Sequence, residues 1–110
     1  MITVYLFSYA YKIINGKLYN TQTAKALASR DNHCQPGSFD YVEEILYRKK
    51  TGEFFLRGSS GARTIYSERI ERGSRGSSRI VPLTEAEARE WAEAYADAEK
   101  YMEIFGEVEE

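Results

Sequence analysis

The one histidine and the one cysteine of this chain are adjacent, at His33 and Cys34. An imidazole beside a thiol can generate the thiolate that acts as a nucleophile. Neighbouring side chains seldom point at one another, however, and the sequence specifies no acid that would orient the imidazole. Two such residues are also too few for zinc, which needs about four ligands. We therefore predict that this pair lies in a loop and has no catalytic or metal-binding role.

The other patterns that could carry chemistry are also incomplete. Glu43 and Glu44 are neighbours on a predicted strand, so their side chains face opposite ways and cannot act together as acid and base. The stretch GSSGAR, which begins at Gly58, lacks the Gly-Lys-Ser/Thr ending of a phosphate-binding loop. The sequence thus predicts a protein that is not an enzyme and that has no cofactor and no metal.

Length and composition set the number of domains. The chain has 110 residues, of which 43% are apolar and 14% aromatic, and this is enough for one core with little room for a second. We expect a single domain over residues 1–110. One cysteine cannot form an intramolecular disulfide, and residues 1–7 lack the positive flank and cleavage site of a signal peptide. Both observations favour a cytoplasmic location.

Charge is divided unevenly along the chain. Residues 1–83 carry a net charge of +6 and residues 84–110 a net charge of −8. The acidic segment over residues 84–105 reads either as the solvated face of a helix or as a negative surface that imitates a nucleic-acid backbone. The residues assigned to such a partner-binding acidic face are Glu90, Glu93, Asp97, Glu99 and Glu103.

A Gly/Ser/Arg-rich stretch occupies residues 58–79 and is predicted to be a loop region, because it offers few apolar anchors. Arginine contacts phosphates through its planar guanidinium, so this loop could bind nucleic acid or a partner. Because Glu68 and Glu71 interrupt the run, pairing with the acidic helix is the alternative. The residues assigned to this basic loop are Arg69, Arg72, Arg75 and Arg79.

Two hairpins and a further strand make up the predicted antiparallel sheet. Residues 3–14 are rich in β-branched and aromatic side chains, which favour a strand, and residues 1–11 form its N-terminal extension. Asn15 and Gly16 tolerate the positive φ angles of a type I′ turn, so the chain returns directly after them. The arms of the second hairpin are predicted at residues 44–48 and 53–57, and the further strand at residues 79–83.

One helix is predicted near the start of the chain and a helical segment at its C-terminal end. Apolar residues at helical spacing after Asn20 or Thr21 predict a short helix of roughly ten residues. Thr84 and Glu87 have the spacing of a capping box, and Asp97 can cap a second helix. The stripe expected to face the sheet consists of Ala88, Trp91, Ala92 and Tyr95. The predicted class is therefore α+β, with a short N-terminal helix and a C-terminal helical segment packed on one sheet face.

Three stretches of the sequence resemble a family of small proteins from mobile elements, prophages and conjugative plasmids of Gram-positive bacteria. They are KIINGKLYNTQTAKALAS at 12–29, EEILYRKKTGEFFLRG at 43–58 and IVPLTEAEAREWAEAYADAEKYMEIFGEVEE at 80–110. Proteins of this type include phage-encoded inhibitors of CRISPR effectors. Two segments depart from the family: residues 1–11 precede its usual start, and the 69–79 loop is more basic.

The resemblance implies an anti-CRISPR protein that binds a Cas effector in the bacterial cytoplasm. A Cas9-type nuclease holds nucleic acid in a positively charged channel, where an acidic helical face could block binding or cleavage. The alternative is a nucleic-acid-binding accessory protein of a mobile element that acts through the arginine-rich loop. A homodimer through residues 3–11 is a further expectation, because an aromatic edge strand tends to pair.

Overall fold

A computed structural model describes residues 11–33, 40–60, 68–70, 73–75 and 77–110. The strands are β1 Tyr11–Ile14, β2 Lys17–Asn20, β3 Lys25–Asp31, β4 Val42–Arg48, β5 Phe54–Ser60, β6 Glu68–Ile70, β7 Gly73–Arg75 and β8 Ser77–Leu83. The helices are α1 Glu85–Tyr95 and α2 Ala98–Phe105. The predicted α+β class is confirmed. In the described part of the chain, neither helix has the length and apolar character needed to cross a membrane.

Both predicted hairpin turns form with the backbone angles that their residues favour. Asn15 and Gly16 have φ values of 52° and 77°, as a type I′ turn requires, and they join β1 to β2. In the second turn Gly52 has a φ of 95°, and its N–H donates to the carbonyl of Lys49 at 2.8 Å. A side chain at Gly52 would be strained in this conformation, which explains the glycine.

The main sheet has four antiparallel strands in the order β3-β4-β5-β8. Its two hairpin connections pair β3 with β4 and β4 with β5, and β8 returns to the far side of β5. Two smaller sheets consist of β1 with β2 and of β6 with β7. The N-terminal strand predicted over residues 3–14 is described from Tyr11 onward, and the rest of the extension lies outside the described residues.

The prediction of a short N-terminal helix is wrong. This segment forms a turn followed by β3, which is an edge strand of the main sheet. The carbonyl of Asn20 accepts a hydrogen bond from the N–H of Ala24 at 3.0 Å, which closes the turn. A bulge between Ala26 and Ala28 interrupts the pairing of β3 with β4, and Leu27 and Ala28 both contact the same core. Because of the bulge, two adjacent residues face the core, and this spacing resembles that of a helix. The weak helical preference of the segment is overridden by its pairing with β4.

The predicted loop over residues 58–79 is also shorter than expected. β5 continues to Ser60 and β8 begins at Ser77, and these two strand ends pair with each other. Arg79, which was predicted both as the end of this loop and as the start of the further strand, lies on β8 opposite Gly58. Small polar side chains do not prevent this pairing, because the hydrogen bonds of the ladder belong to the backbone.

Each face of the main sheet has its own core. On one face Leu46, Phe54 and Leu56 pack against Trp91 of α1 and Ile104 of α2. On the other face, Tyr47, Phe55 and Ile80 pack against Tyr19 of β2, so the first hairpin covers this side. The ring of Phe55 stacks on that of Tyr47, with centroids 5.1 Å apart, and meets the ring of Tyr19 edge-on. The C-terminal helices and the first hairpin thus lie on opposite faces of one sheet.

Candidate partner-binding surface

The capping box predicted from the sequence fixes where α1 begins. The Thr84 hydroxyl accepts a hydrogen bond from the N–H of Glu87 at 3.1 Å, and the Glu87 carboxylate accepts one from the N–H of Thr84 at 2.8 Å. Ala88 and Trp91 are then buried on the sheet side of the helix. The periodicity of the helix places Glu90 on the opposite side, in solvent.

Helix α2 follows α1 after a break of two residues. Asp97 caps it by accepting a hydrogen bond from the N–H of Lys100 at 2.8 Å. At its other end, Ile104 is buried, and the carbonyl of Ile104 accepts a hydrogen bond from Arg48 of β4 at 3.3 Å. These contacts hold α2 against the sheet and leave Glu99 and Glu103 exposed.

Both cations of the acidic segment are already engaged within it. The Arg89 guanidinium donates two hydrogen bonds to Glu85, at 2.8 and 3.0 Å, and a longer one to the Tyr101 hydroxyl at 3.4 Å. The hydrogen bonds with Glu85 and then with Tyr101 raise the pKa of Arg89 above its ordinary value. Lys100 lies 3.4 Å from a carboxylate oxygen of Glu103. Neither cation pairs with Glu90 or Glu93 of α1.

The five predicted acidic residues are all exposed, but they are not equivalent. Asp97 is occupied as a helix cap and Glu103 is paired with Lys100. Within the described part of the chain, Glu90, Glu93 and Glu99 form no ion pair and no side-chain hydrogen bond. These three carboxylates are thus available to an external partner.

A groove at the junction of the helices brings two of the acids together with apolar side chains. It has a volume of about 410 Å³. Its lining comprises Ala92, Glu93, Ala96, Asp97, Ala98, Tyr101, Met102 and Val108. Met102 is 37% exposed and lies in the groove wall. The groove was not predicted, because its lining combines residues of α1, of α2 and of the chain after α2.

The basic residues fall into separate places. Arg69 and Arg75 lie in the hairpin of β6 and β7, whereas Arg72 lies outside the described residues. Arg79 lines a small pocket of about 100 Å³ together with Lys12 and Arg57. The other lining residues are Tyr11, Ser78 and Ile80. No local pattern groups Lys12 with Arg79, since they lie on β1 and β8 of two different sheets and share only the lining of this pocket.

The structure describes three of the four residues first considered for catalysis, namely His33, Glu43 and Glu44. His33 is exposed in a left-handed conformation with a φ of 63°, and its N–H donates to Asp31 at 2.8 Å. Cys34 lies outside the described residues. Glu44 is buried and Glu43 is on the other face of β4, as expected from strand alternation. Among the residues that the structure describes, no group of three His, Cys, Asp or Glu side chains is placed to hold a metal ion.

Comparison of the chain with protein-family models, with curated proteins and with solved structures finds no match.

Proposed function

We propose that this chain is a non-enzymatic anti-CRISPR inhibitor, which binds a Cas9-type effector nuclease in the bacterial cytoplasm through the acidic surface of α1 and α2. The observation that carries the proposal is the exposure of Glu90, Glu93 and Glu99 without a partner in the described part of the chain. Residues 84–110 have a net charge of −8 and their two cations are engaged internally, so this stretch presents a negative face to solvent.

The physical basis is competition for a basic channel. Effectors of this class hold their nucleic acid in positively charged channels that recognise the backbone. Carboxylates on a rigid helical surface can neutralise such a channel and exclude the nucleic acid from it. Because exposed charges dominate the contact, the association rate should fall as the salt concentration rises.

The test is a charge reversal with a matched control. The triple variant Glu90→Lys, Glu93→Lys and Glu99→Lys should lose the inhibition of target cleavage by a purified Cas9-type nuclease with its guide RNA. The control variant Glu107→Lys, Glu109→Lys and Glu110→Lys has the same net charge, but its substitutions lie in the exposed chain after α2. It should still inhibit. Full inhibition by the helix variant, or an equal loss in both variants, would contradict the proposed contact surface.

A second candidate function is that of a nucleic-acid-binding accessory protein. It is favoured by the small pocket where Lys12, Arg57 and Arg79 meet, since clustered cations bind phosphates. In this case the isolated protein binds DNA or RNA, and each phosphate contact that is lost reduces the salt dependence of the affinity. Fluorescence anisotropy over a salt series, with wild type and a variant carrying Lys12→Glu and Arg79→Glu, separates the two functions. Salt-sensitive binding that the variant loses would support the accessory protein.

A further inference from the structure

We propose that the groove between α1 and α2 receives apolar side chains from a basic amphipathic segment of the partner protein. This inference rests on the proposed function, because it names the anchoring contact of the acidic surface. The groove would supply burial of apolar surface, and the surrounding carboxylates would select a segment whose flanking residues are Lys or Arg.

The shape of the groove comes from small side chains at the point where α1 ends. Ala92 is buried in its lining, and Ala96 in the break and Ala98 at the start of α2 leave space because their side chains are small. Met102 and Val108 line it and remain 37% and 54% exposed. A volume of about 410 Å³ lies within the range of roughly 300–1,000 Å³ that is usual for ligand pockets. The thioether of Met102 can also adapt to differently shaped apolar side chains.

The charge of the groove identifies the kind of occupant. Glu93 and Asp97 lie in the lining, and none of the described lining residues is Lys or Arg. A second copy of this chain would bring the same acids to the same place in a symmetric contact, which like-charge repulsion disfavours. An acidic or neutral apolar segment would bury part of its surface but leave Glu93 without a counter-charge. A segment with apolar residues on one face and Lys or Arg beside them satisfies both features.

The test uses labelled peptides and two variants that differ only in position. Ala98→Phe fills the groove, whereas Ala94→Phe adds the same side chain to an exposed position of α1 outside the groove lining. The probe is a fluorescein-labelled helical peptide with leucine on one face and lysine on the other. We expect Ala98→Phe to weaken its binding by about tenfold or more, as loss of an anchor site does, and Ala94→Phe to leave it unchanged.

Two control peptides separate charge from burial. A peptide with serine in place of leucine retains the charge, and one with glutamate in place of lysine retains the apolar face; both should bind more weakly than the parent. Equal binding of the serine peptide, or equal affinity of wild type and Ala98→Phe for the parent peptide, would overturn the proposal. Met102→Ser, an exposed substitution, serves as a second groove variant if Ala98→Phe does not show the circular dichroism spectrum of the wild type.

Cleavage assays keep this inference separate from the proposed function. If wild type and Ala98→Phe inhibit the nuclease equally, the groove is not the anchor although the inhibitor function holds. If wild type inhibits no nuclease but binds the leucine-lysine peptide in a groove-dependent way, the groove site stands and its partner is a different basic protein.

Discussion

Trp91 donates its indole N–H to a carboxylate oxygen of Glu44 at a distance of 2.9 Å, and this hydrogen bond connects α1 to the middle of the sheet. The same oxygen accepts a hydrogen bond from Arg30 of β3 at 2.8 Å. Glu44 is only 5% exposed, so its charge is buried with a cationic partner and a neutral donor. The Arg30 guanidinium also lies 4.2 Å from the ring centroid of Tyr95. The helix that carries Glu90 and Glu93 is thereby held in one orientation.

We predict that Trp91→Phe destabilises the protein by about 1.5–3 kcal/mol, because a buried carboxylate loses one of its donors. Urea unfolding followed by circular dichroism measures the change, since the variant lacks the only tryptophan. The matched control is Tyr95→Phe, which keeps the aromatic ring beside Arg30 and should shift the free energy of unfolding by less than about 0.5 kcal/mol. A Trp91→Phe variant as stable as this control would show that the hydrogen bond contributes little.

The features that could be predicted from the sequence are those that depend on neighbouring residues. Asn15 and Gly16 specify their turn, and Thr84 with Glu87 specifies the start of α1, because the interacting atoms lie within three residues of each other. The buried role of Glu44 was not predictable in the same way. Its donors Arg30 and Trp91 are 14 and 47 residues away and meet it only after the sheet has formed.

In the candidate site, too, the features set by neighbouring residues were predictable and those set by distant residues were not. The exposure of Glu90 and Glu93 follows from the apolar stripe of α1, of which Ala88, Trp91 and Ala92 are buried as predicted. The fourth residue of the stripe, Tyr95, was predicted to face the sheet but is 47% exposed. The groove depends on the break at Ala96 and on where the chain runs after α2, which no local pattern determines. The bulge in β3 was likewise not predictable from the sequence, because it arises from pairing with β4. It also interrupts the alternation of inward and outward residues by which a strand is recognised.

The capping box gives a second prediction. Thr84→Ala removes the hydroxyl that accepts a hydrogen bond from the N–H of Glu87, and loss of such a cap costs about 0.5–2 kcal/mol. Thr84→Ser retains the hydroxyl and should retain most of the stability. Thermal and urea unfolding of the three proteins measure the difference. Equal destabilisation by both substitutions would assign the effect to the methyl group of Thr84 instead of the cap.

Because of the contacts of Glu53, we predict that the free energy of unfolding depends on pH. Hydrogen bonds from Lys17 and then Lys49, at 2.6 and 3.0 Å, lower the pKa of Glu53 from 4.5 to about 2. Because the pKa is lower in the folded state, the stabilisation is fully present above pH 4.5 and is lost as the pH falls towards about 2. The contact joins the first hairpin to the turn between β4 and β5.

The measurement compares wild type with Glu53→Gln, which cannot ionise. The difference in their free energies of unfolding should be largest above pH 4.5 and should shrink as the pH falls towards about 2. High salt should reduce this difference at neutral pH, since Lys17 and Glu53 are 59% and 35% exposed. A difference that stays constant across this range of pH would mean that the two lysines do not perturb Glu53.

The outer face of the first hairpin provides the last prediction, which concerns self-association. Tyr11 and Ile13 are 66% and 62% exposed on one side of β1, and Leu18, directly opposite Ile13 on β2, is 46% exposed. Within the described part of the chain, the other side of the hairpin is covered through Tyr19, whereas this apolar face is exposed and could receive a second copy. We expect wild type at micromolar concentration to show twice the chain mass of 12.6 kDa by light scattering.

The variant carrying Ile13→Lys and Leu18→Lys should show the mass of one chain, whereas Met102→Lys with Val108→Lys, a matched change in the groove, should leave the dimer intact. A wild type that runs only as a single chain would contradict the dimer.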